Sequence, residues 1–283
     1  MSYIEVISPG MYSSIQDFGR IGFRSYGVPL SGAMDQTSLK IGNSLLGNSF
    51  AEAAIEITTI GPKLLFYANT QIALTGADLS AQLNGVDIKT NVSYPVVPGD
   101  LLQFSKPKYG RFAYLCIKEG IKVQEHLGSK STYPLAKLGQ PLLSKGMKVY
   151  LDKETTHPSK SGVRIKPDAK HFDEGTINAF PGPEFDLLGD NFLNDSFEIS
   201  PESNRMGFRF KGSKAHAHDT SILTSSVMPG TVQLPPSGEP IVLMRDCQTT
   251  GGYPRVLQLT DRSIDILSQK APGSRMYFKL LQT

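Results

Sequence analysis

Cysteine is scarce: Cys116 and Cys247 are the only two in 283 residues. Both follow apolar runs, and neither shows a CxxC or Cys/His zinc spacing. Buried free thiols in a reducing compartment are therefore expected, and a disulfide framework is not. No apolar run approaches the roughly 18 residues that a membrane-spanning helix needs, so no membrane partner is expected. An excess of one charge is also missing. Lys and Arg number 29 against 26 Asp and Glu, a formal net charge of +3, too small and too dispersed to point to nucleic acid. The nearest approach to a basic run, Lys160 to Lys170, is broken by acidic and apolar residues and reads as a solvated linker. The opening MSYIEVISPG lacks the basic and apolar regions of a signal peptide, so a cytoplasmic location is expected. G-x-S-x-G, H-E-x-x-H and G-x-G-x-x-G are absent as well.

What is present is an ordinary globular composition, 39% hydrophobic and 19% charged, in a chain long enough for one large or two medium domains. The apolar segments are short, rich in β-branched residues and closed by Gly, Pro, Asn or Asp. Leu64–Tyr67, Gln71–Leu74, Leu101–Phe104, Phe112–Ile117, Ile241–Met244 and Met276–Leu281 are examples. Such strands with frequent turn signals predict barrels or sandwiches, a mainly β class with a few short helices. One helix is expected after Asp35 as N-cap, running through Leu39 to Leu46 and stopped by Gly47-Asn48. A second short one is expected at Ile264–Leu267, after Thr260-Asp261. The Lys-, Ser- and Pro-rich stretch Asp152 to Asp173 is the expected boundary, dividing the chain into 1–155 and 156–283. Val96-Val97-Pro98-Gly99 and Val227-Met228-Pro229-Gly230 share V-x-P-G, a faint sign that the halves are related.

Three motifs fail on inspection. HLGSKST at 126–132 suggests a phosphate loop, but Ser129 stands before Lys130 where a Walker motif requires Gly. A hydroxyl-rich loop remains, with Ser129, Ser131 and Thr132 as donors toward an anion or amide. His216-Ala-His218-Asp219 offers two imidazoles but no identifiable third ligand in a polar, loop-like stretch, so no metal site is assigned. GMKV at 146–149 is similar to a biotin acceptor, yet Val149 replaces the second Met, and a surface hairpin is the better reading.

Two stretches hold more chemistry than a turn requires. SIQDFGRIGFRSYGVPLSGAMD (14–35) carries four glycines with Gln16, Asp17, Arg20 and Asp35. Glycine at this density lets backbone approach backbone or ligand closely. A structural turn and a binding segment both stand open here. MRDCQTTGGYPRV (244–256) follows an apolar strand. If that strand continues, Asp246 and Gln248 share a face. Thr249, Thr250, Gly251 and Gly252 then offer hydroxyls and N–H groups for a carboxylate or oxyanion, and Tyr253 adds a phenol.

On these motifs the chain resembles the allophanate hydrolase subunit 2 / Kip-type antagonist family. That family includes the C subunit of prokaryotic 5-oxoprolinase, and the same module forms part of the carboxyltransferase region of urea carboxylase. Its QDxGRxG matches Gln16 to Gly22, sGamD matches Ser31 to Asp35, and N-x-L-x-GN matches Asn43 to Asn48. Its tGa(D) matches Thr75 to Asp78, GSxST matches Gly128 to Thr132, and RMG-x-R matches Arg205 to Arg209. G-x-[IV]-Q-[VL]-P matches Gly230 to Pro235, and D-x-QTTGGYP matches Asp246 to Pro254. The resemblance runs nearly end to end. It implies two cyclophilin-like β-barrel units and a subunit-1-like, Kip inhibitor-like partner, with a lactam-binding third subunit in the oxoprolinase system.

The activity implied is ATP-dependent opening of 5-oxoproline to glutamate by a complex in which this chain is inactive alone. ATP would bind in the complex, on a subunit the resemblance does not name, and this chain alone would hold no tight cofactor. Arg20, Asp17, Arg205 and Asp246 are the implied catalytic residues. Gln16, Asp35, Ser129, Ser131, Gln248, Thr249, Thr250, Gly251, Gly252 and Tyr253 would bind a small amide or carboxylate. Two other readings stand beside this one: a biotin-dependent carboxyltransferase component acting on a urea-like amide, and a non-catalytic antagonist binding a Kip-type kinase inhibitor. The chain departs from the family pattern at Cys247, where Arg is usual, at Lys130 within GSxST, and at Lys118-Glu119 before Gly120.

Overall fold

The computed structural model describes residues 2–153, 164–166, 168–189, 191–212 and 216–281. The expected boundary between 155 and 156, and part of the run from Lys160 to Lys170, lie outside the described residues. The chain groups into two compact units. One comprises Met1–Arg20 with Ser31–Asp168, the other Ile21–Leu30 with Ala169–Thr283.

The structure is mostly β, as expected. In the first unit a six-stranded sheet orders Lys148–Tyr150, Tyr3–Ser8, Lys63–Phe66, Leu101–Gln103, Gln82–Leu83 and Val86–Asp87. A five-stranded sheet orders Tyr12–Gln16, Ala54–Thr58, Tyr109–Ile117, Thr70–Asp78 and Val92–Val96. Alternation explains the first: in Tyr3–Ser8, Ile4 and Val6 are buried while their neighbours are partly exposed. Residues of both sheets, among them Ile4, Val6, Phe66, Ile55, Ile57 and Leu115, form one apolar core. Each of the six strand segments expected from the sequence coincides with a strand to within a few residues at its ends.

Asp35 starts the helix Gln36–Leu46 by accepting from Ser38 N at 2.9 Å and from Ser38 Oγ at 2.6 Å. Gly47, left-handed at φ 64°, ends it with its N–H on the carbonyls of Asn43 and Ser44. The helix packs on Thr70–Asp78 and Tyr109–Ile117. Gly42 sets how closely, since a Cβ there would fall 2.5 Å from Cys116 Sγ.

The second unit closes into a barrel in the order Thr176–Pro181, Arg255–Leu259, Thr231–Gln233, Ile241–Leu243, Gly207–Lys211, Phe197–Ile199, Arg275–Leu280. Its first and last strands pair in parallel, Thr176 opposite Tyr277 and Ala179 opposite Leu280. In Gly207–Lys211, Phe208 and Phe210 turn inward while Arg209 and Lys211 face out. Phe192, Phe197, Phe210 and Phe278 meet inside, with ring centroids 4.8 to 5.9 Å apart. Thr260 caps the helix Asp261–Ser268, two turns that cover the segment expected at Ile264–Leu267.

Replacing Asp35 with alanine removes a helix cap from a buried position. Urea unfolding of Asp35→Ala should show a loss of about 1–2 kcal/mol. An unchanged midpoint would rule out a capping role.

Candidate functional site

The candidate residues fall into two clusters, one in each unit. In the first unit the strand Tyr12–Gln16 ends at a fully buried Gln16. Its amide donates to Ser14 Oγ at 2.9 Å and to the Thr132 carbonyl at 3.1 Å. Asp17 follows. Its Oδ1 accepts from Gly19 N at 2.7 Å, from Ser129 Oγ at 2.7 Å and from Ser131 Oγ, while Oδ2 accepts from Lys130 N at 2.6 Å. A carboxylate offers about four acceptor positions, so this one is filled. Arg20, fully buried, donates through Nη2 to the Ser131 carbonyl.

The loop 128–132 is therefore wrapped around Asp17. The hydroxyls expected to meet an anion meet a side-chain carboxylate of the same chain. Backbone 31–33 lies against backbone 17–19: Ala33 N donates to Asp17 O at 2.8 Å, and a Cβ on Gly32 would fall 2.8 Å from Gly19 N. Gly32, at φ 86°, meets both the dihedral and the space requirement that only glycine satisfies.

Asp35, a candidate for substrate binding, is used differently. Its side chain caps the helix and its N–H donates to Tyr114 Oη at 2.8 Å. Tyr114 in turn donates to Glu56 Oε2 at 2.8 Å. Burial first, then the charges of Glu56 and Asp35, hold this phenol well above its ordinary pKa, so it stays protonated. Lys130 extends away to Glu52 at 2.8 Å and Asp152 at 3.4 Å. Burial alone lowers its pKa, but hydrogen bonding and charge from Glu52, then Asp152, outweigh that and leave it raised.

In the second unit the strand Ile241–Leu243 does not continue. Residues 245 and 246 form a turn in which Cys247 N donates to Met244 O at 3.1 Å. Asp246 and Gln248 thus do not share a strand face, contrary to expectation. The turn sends its charges to separate partners. Asp246 takes Arg205 in a two-pronged pair, Nε to Oδ2 at 2.7 Å and Nη2 to Oδ1 at 3.0 Å, both residues buried. Arg245 takes Asp265 at 2.9 Å, each with a side chain only 4% exposed.

Gln248 reaches Gln233 at 3.5 Å, and Gln233 the Tyr253 carbonyl at 3.4 Å. The Thr249 carbonyl accepts from Val227 N at 3.1 Å. Thr250 and Gly251 pair with Ser225 and Ser226 in a two-stranded ribbon. Neither Gly251 nor Gly252 has positive φ, so this glycine pair is not there for its dihedrals. A Cβ at Gly251 would fall 2.5 Å from Gln233 Nε2, whereas the nearest atom to one at Gly252, the Ile222 carbonyl oxygen, is 3.8 Å away. Tyr253, 45% exposed, lines a cleft of roughly 490 Å³ with Glu202, Arg209, Lys211, Pro236 and Glu239.

Two residues of this cluster gave little warning in the sequence. Gln233 lies inside a matched motif without a role that spacing could assign. Arg24, from the segment Ile21–Leu30, reaches the turn at Cys247. Burial pushes the Cys247 thiol up to about 11, against a smaller lowering by the charge and hydrogen bond of Arg24. Burial raises Cys116 further. The histidines are also engaged: His216 Nε2 meets Asp195 at 2.7 Å, and His218 Nε2 meets the Leu234 carbonyl at 3.0 Å.

Comparison with known proteins gives consistent results. The family model described as carboxyltransferase domain, subdomain A and B, matches residues 26–280. The C subunit of 5-oxoprolinase from Escherichia coli (strain K12) is 36% identical over 97% of this chain and 90% of its own length. The protein of that name from Haemophilus influenzae is 32% identical over 98% and 90%. The crystal structure of the K. lactis urea amidolyase superposes with a TM-score of 0.89 at 29% identity, over 99% of this chain. This chain spans only 19% of that much longer one.

Asp17→Ala should free the loop 128–132. Hydrogen exchange at Lys130 and Ser131 should accelerate, with a stability loss on the order of 3 kcal/mol from several charge-assisted bonds. Retained protection would show that the loop holds its shape without Asp17.

Both thiols should resist iodoacetamide at neutral pH in the folded protein and react after denaturation, as mass spectrometry can score. Because the folded pKa of Cys247 is raised, its contribution to stability is complete below about pH 8.5 and is lost as pH rises toward about 11. Rapid labelling of the native chain at pH 7 would contradict this.

Proposed function

Since the chain belongs to the carboxyltransferase domain family, subdomain A and B, we propose that it is the C subunit of a 5-oxoprolinase-type complex. That complex opens 5-oxoproline to glutamate with hydrolysis of ATP. The observation that carries this reading is the match to the C subunit of 5-oxoprolinase over nearly the whole of both chains, at 36% identity. A urea-related relative matches only as a small part of a far longer protein. A carboxyltransferase role is the second reading, favoured by the family description itself. It would require biotin carboxylase and a carrier from partners.

Opening a lactam means adding water at an amide carbon and protonating the departing nitrogen. ATP makes the amide oxygen a better leaving group by phosphorylation. This chain's part is to hold the amide and stabilise the negative charge that gathers on oxygen. The loop 128–132 does not fit a phosphate cradle, because its hydroxyls and the Lys130 N–H already donate to Asp17. ATP is accordingly not assigned to this loop.

Asp17 and Arg20 then act as positioning residues that set the backbone of the 14–35 stretch. Chemistry is assigned to the second unit's cluster, where Arg205 is held by Asp246 in a fixed orientation. A guanidinium held in one orientation presents its positive charge without reorganisation. The Gln248–Tyr253 segment supplies polar contacts to the amide.

The test is co-purification with the subunit-1-like partner and the lactam-binding subunit, followed by ATP hydrolysis with and without 5-oxoproline. Stimulation is expected. Asp246→Asn should lower it on the order of 100-fold, the scale of removing an oriented electrostatic group, with assembly unchanged on gel filtration. A stable complex with no stimulation would count against the hydrolase reading and for a regulatory role. Carboxylation of a urea-like amide on adding a carboxylated carrier would favour the second reading.

A further inference from the structure

Buried charges in the second unit's cluster come in pairs, with one exception. Asp246 gives both oxygens to Arg205, and Asp265 takes Arg245. Arg24 completes the group. It begins a single turn, Arg24–Tyr26, closed by the Gly27 N–H on the Arg24 carbonyl at 3.0 Å. Its side chain is half-buried, and Nη1 lies buried with no hydrogen-bond partner. Among the described residues no carboxylate pairs with Arg24; the neighbour it reaches is the neutral Cys247 thiol.

A guanidinium nitrogen out of water with no acceptor is held at a cost, and a larger one than for a neutral donor. A protein that keeps one beside two arginines already ion-paired with carboxylates leaves a net positive charge at the turn. The carboxylates of the turn are taken by Arg205 and Arg245, which leaves this edge to an anion from outside the chain.

We propose that Arg24 is the oxyanion-recognition residue of the Asp246–Tyr253 turn, donating from its free N–H edge to a carboxylate or phosphoryl group of a bound ligand. A planar fork suits a carboxylate or phosphate in two-pronged geometry. The nearby Cys247 contributes a neutral thiol in place of a competing anion, which leaves the fork available. In the hydrolase reading, on which only the kinetic arm below rests, the group is the carboxylate of 5-oxoproline or a phosphoryl oxygen of ATP.

The experiment uses the full-length chain and compares wild type, Arg24→Met and Arg24→Lys. Thermal melting is followed alone and with acetate, inorganic phosphate or 5-oxoproline. Without anion, Arg24→Met should melt at or above the wild-type temperature, since an uncompensated charge has been removed. At least one anion should raise the wild-type melting temperature and leave Arg24→Met unmoved, with Arg24→Lys between them. In the assembled complex Arg24→Met should raise KM for 5-oxoproline or for ATP about tenfold or more, the scale of losing one charge-assisted contact, with a smaller change in kcat. Which KM moves identifies the group bound.

Equal anion shifts in wild type and Arg24→Met, or none in wild type, would overturn the proposal. So would a drop in the ligand-free melting temperature of Arg24→Met, which marks a structural arginine. If the wild-type complex fails to turn over 5-oxoproline while the melting arms separate as described, the hydrolase reading fails and the anion site stands.

Discussion

Once Asp17 is taken out of water, its two oxygens must be given donors, and that requirement organises the first unit around it. Four donors converge on the carboxylate, three of them from a loop more than a hundred residues away in the chain. The same need explains the serines at 129 and 131, the glycine at 32 that lets one backbone lie on another, and the carbonyl of Ser131 turned toward Arg20. Motif residues that look like a ligand-binding set are here a mutual contract between two loops, and their strict composition follows from packing polar groups where water cannot reach.

The second unit answers the same constraint with ion pairs. Arg205 with Asp246 and Arg245 with Asp265 leave the barrel mouth from adjacent positions of one turn toward different partners. Burying such pairs is weak evidence of stability, because desolvation offsets the attraction. Their value is orientation: a paired guanidinium points in one direction. The cluster is therefore rigid where it is paired, while Tyr253 remains exposed at the edge of a cleft.

Much of this is legible in the sequence wherever the physics is local. Asp35 and Gly47 bracket their helix because capping involves neighbours within one turn, and Thr260 does the same for Asp261–Ser268. Short β-branched runs become strands for the same reason. What fails is local reasoning carried one step too far. Asp246 and Gln248 are expected on one strand face, but the strand stops at Leu243 and a turn intervenes. What stays hidden is non-local. No spacing rule reveals that Asp17 is saturated by Ser129, Lys130 and Ser131, or that Arg24 reaches Cys247. Nor does a linear boundary allow for ten residues of the N-terminal stretch, Ile21–Leu30, grouping with the C-terminal unit.

That last feature bears on how the molecule comes into being. Ile21–Leu30 is synthesised early, yet its unit is completed only by residues from Ala169 onward. During translation this short segment precedes the rest of its unit by the whole of the other, so the second unit closes late and across a long stretch of chain. A fragment cut cleanly at the middle would inherit the barrel strands but not the cation at its signature turn. Each unit is compact in itself, yet the two are interleaved along the chain, and neither can be lost, swapped or fused alone without taking a piece of the other.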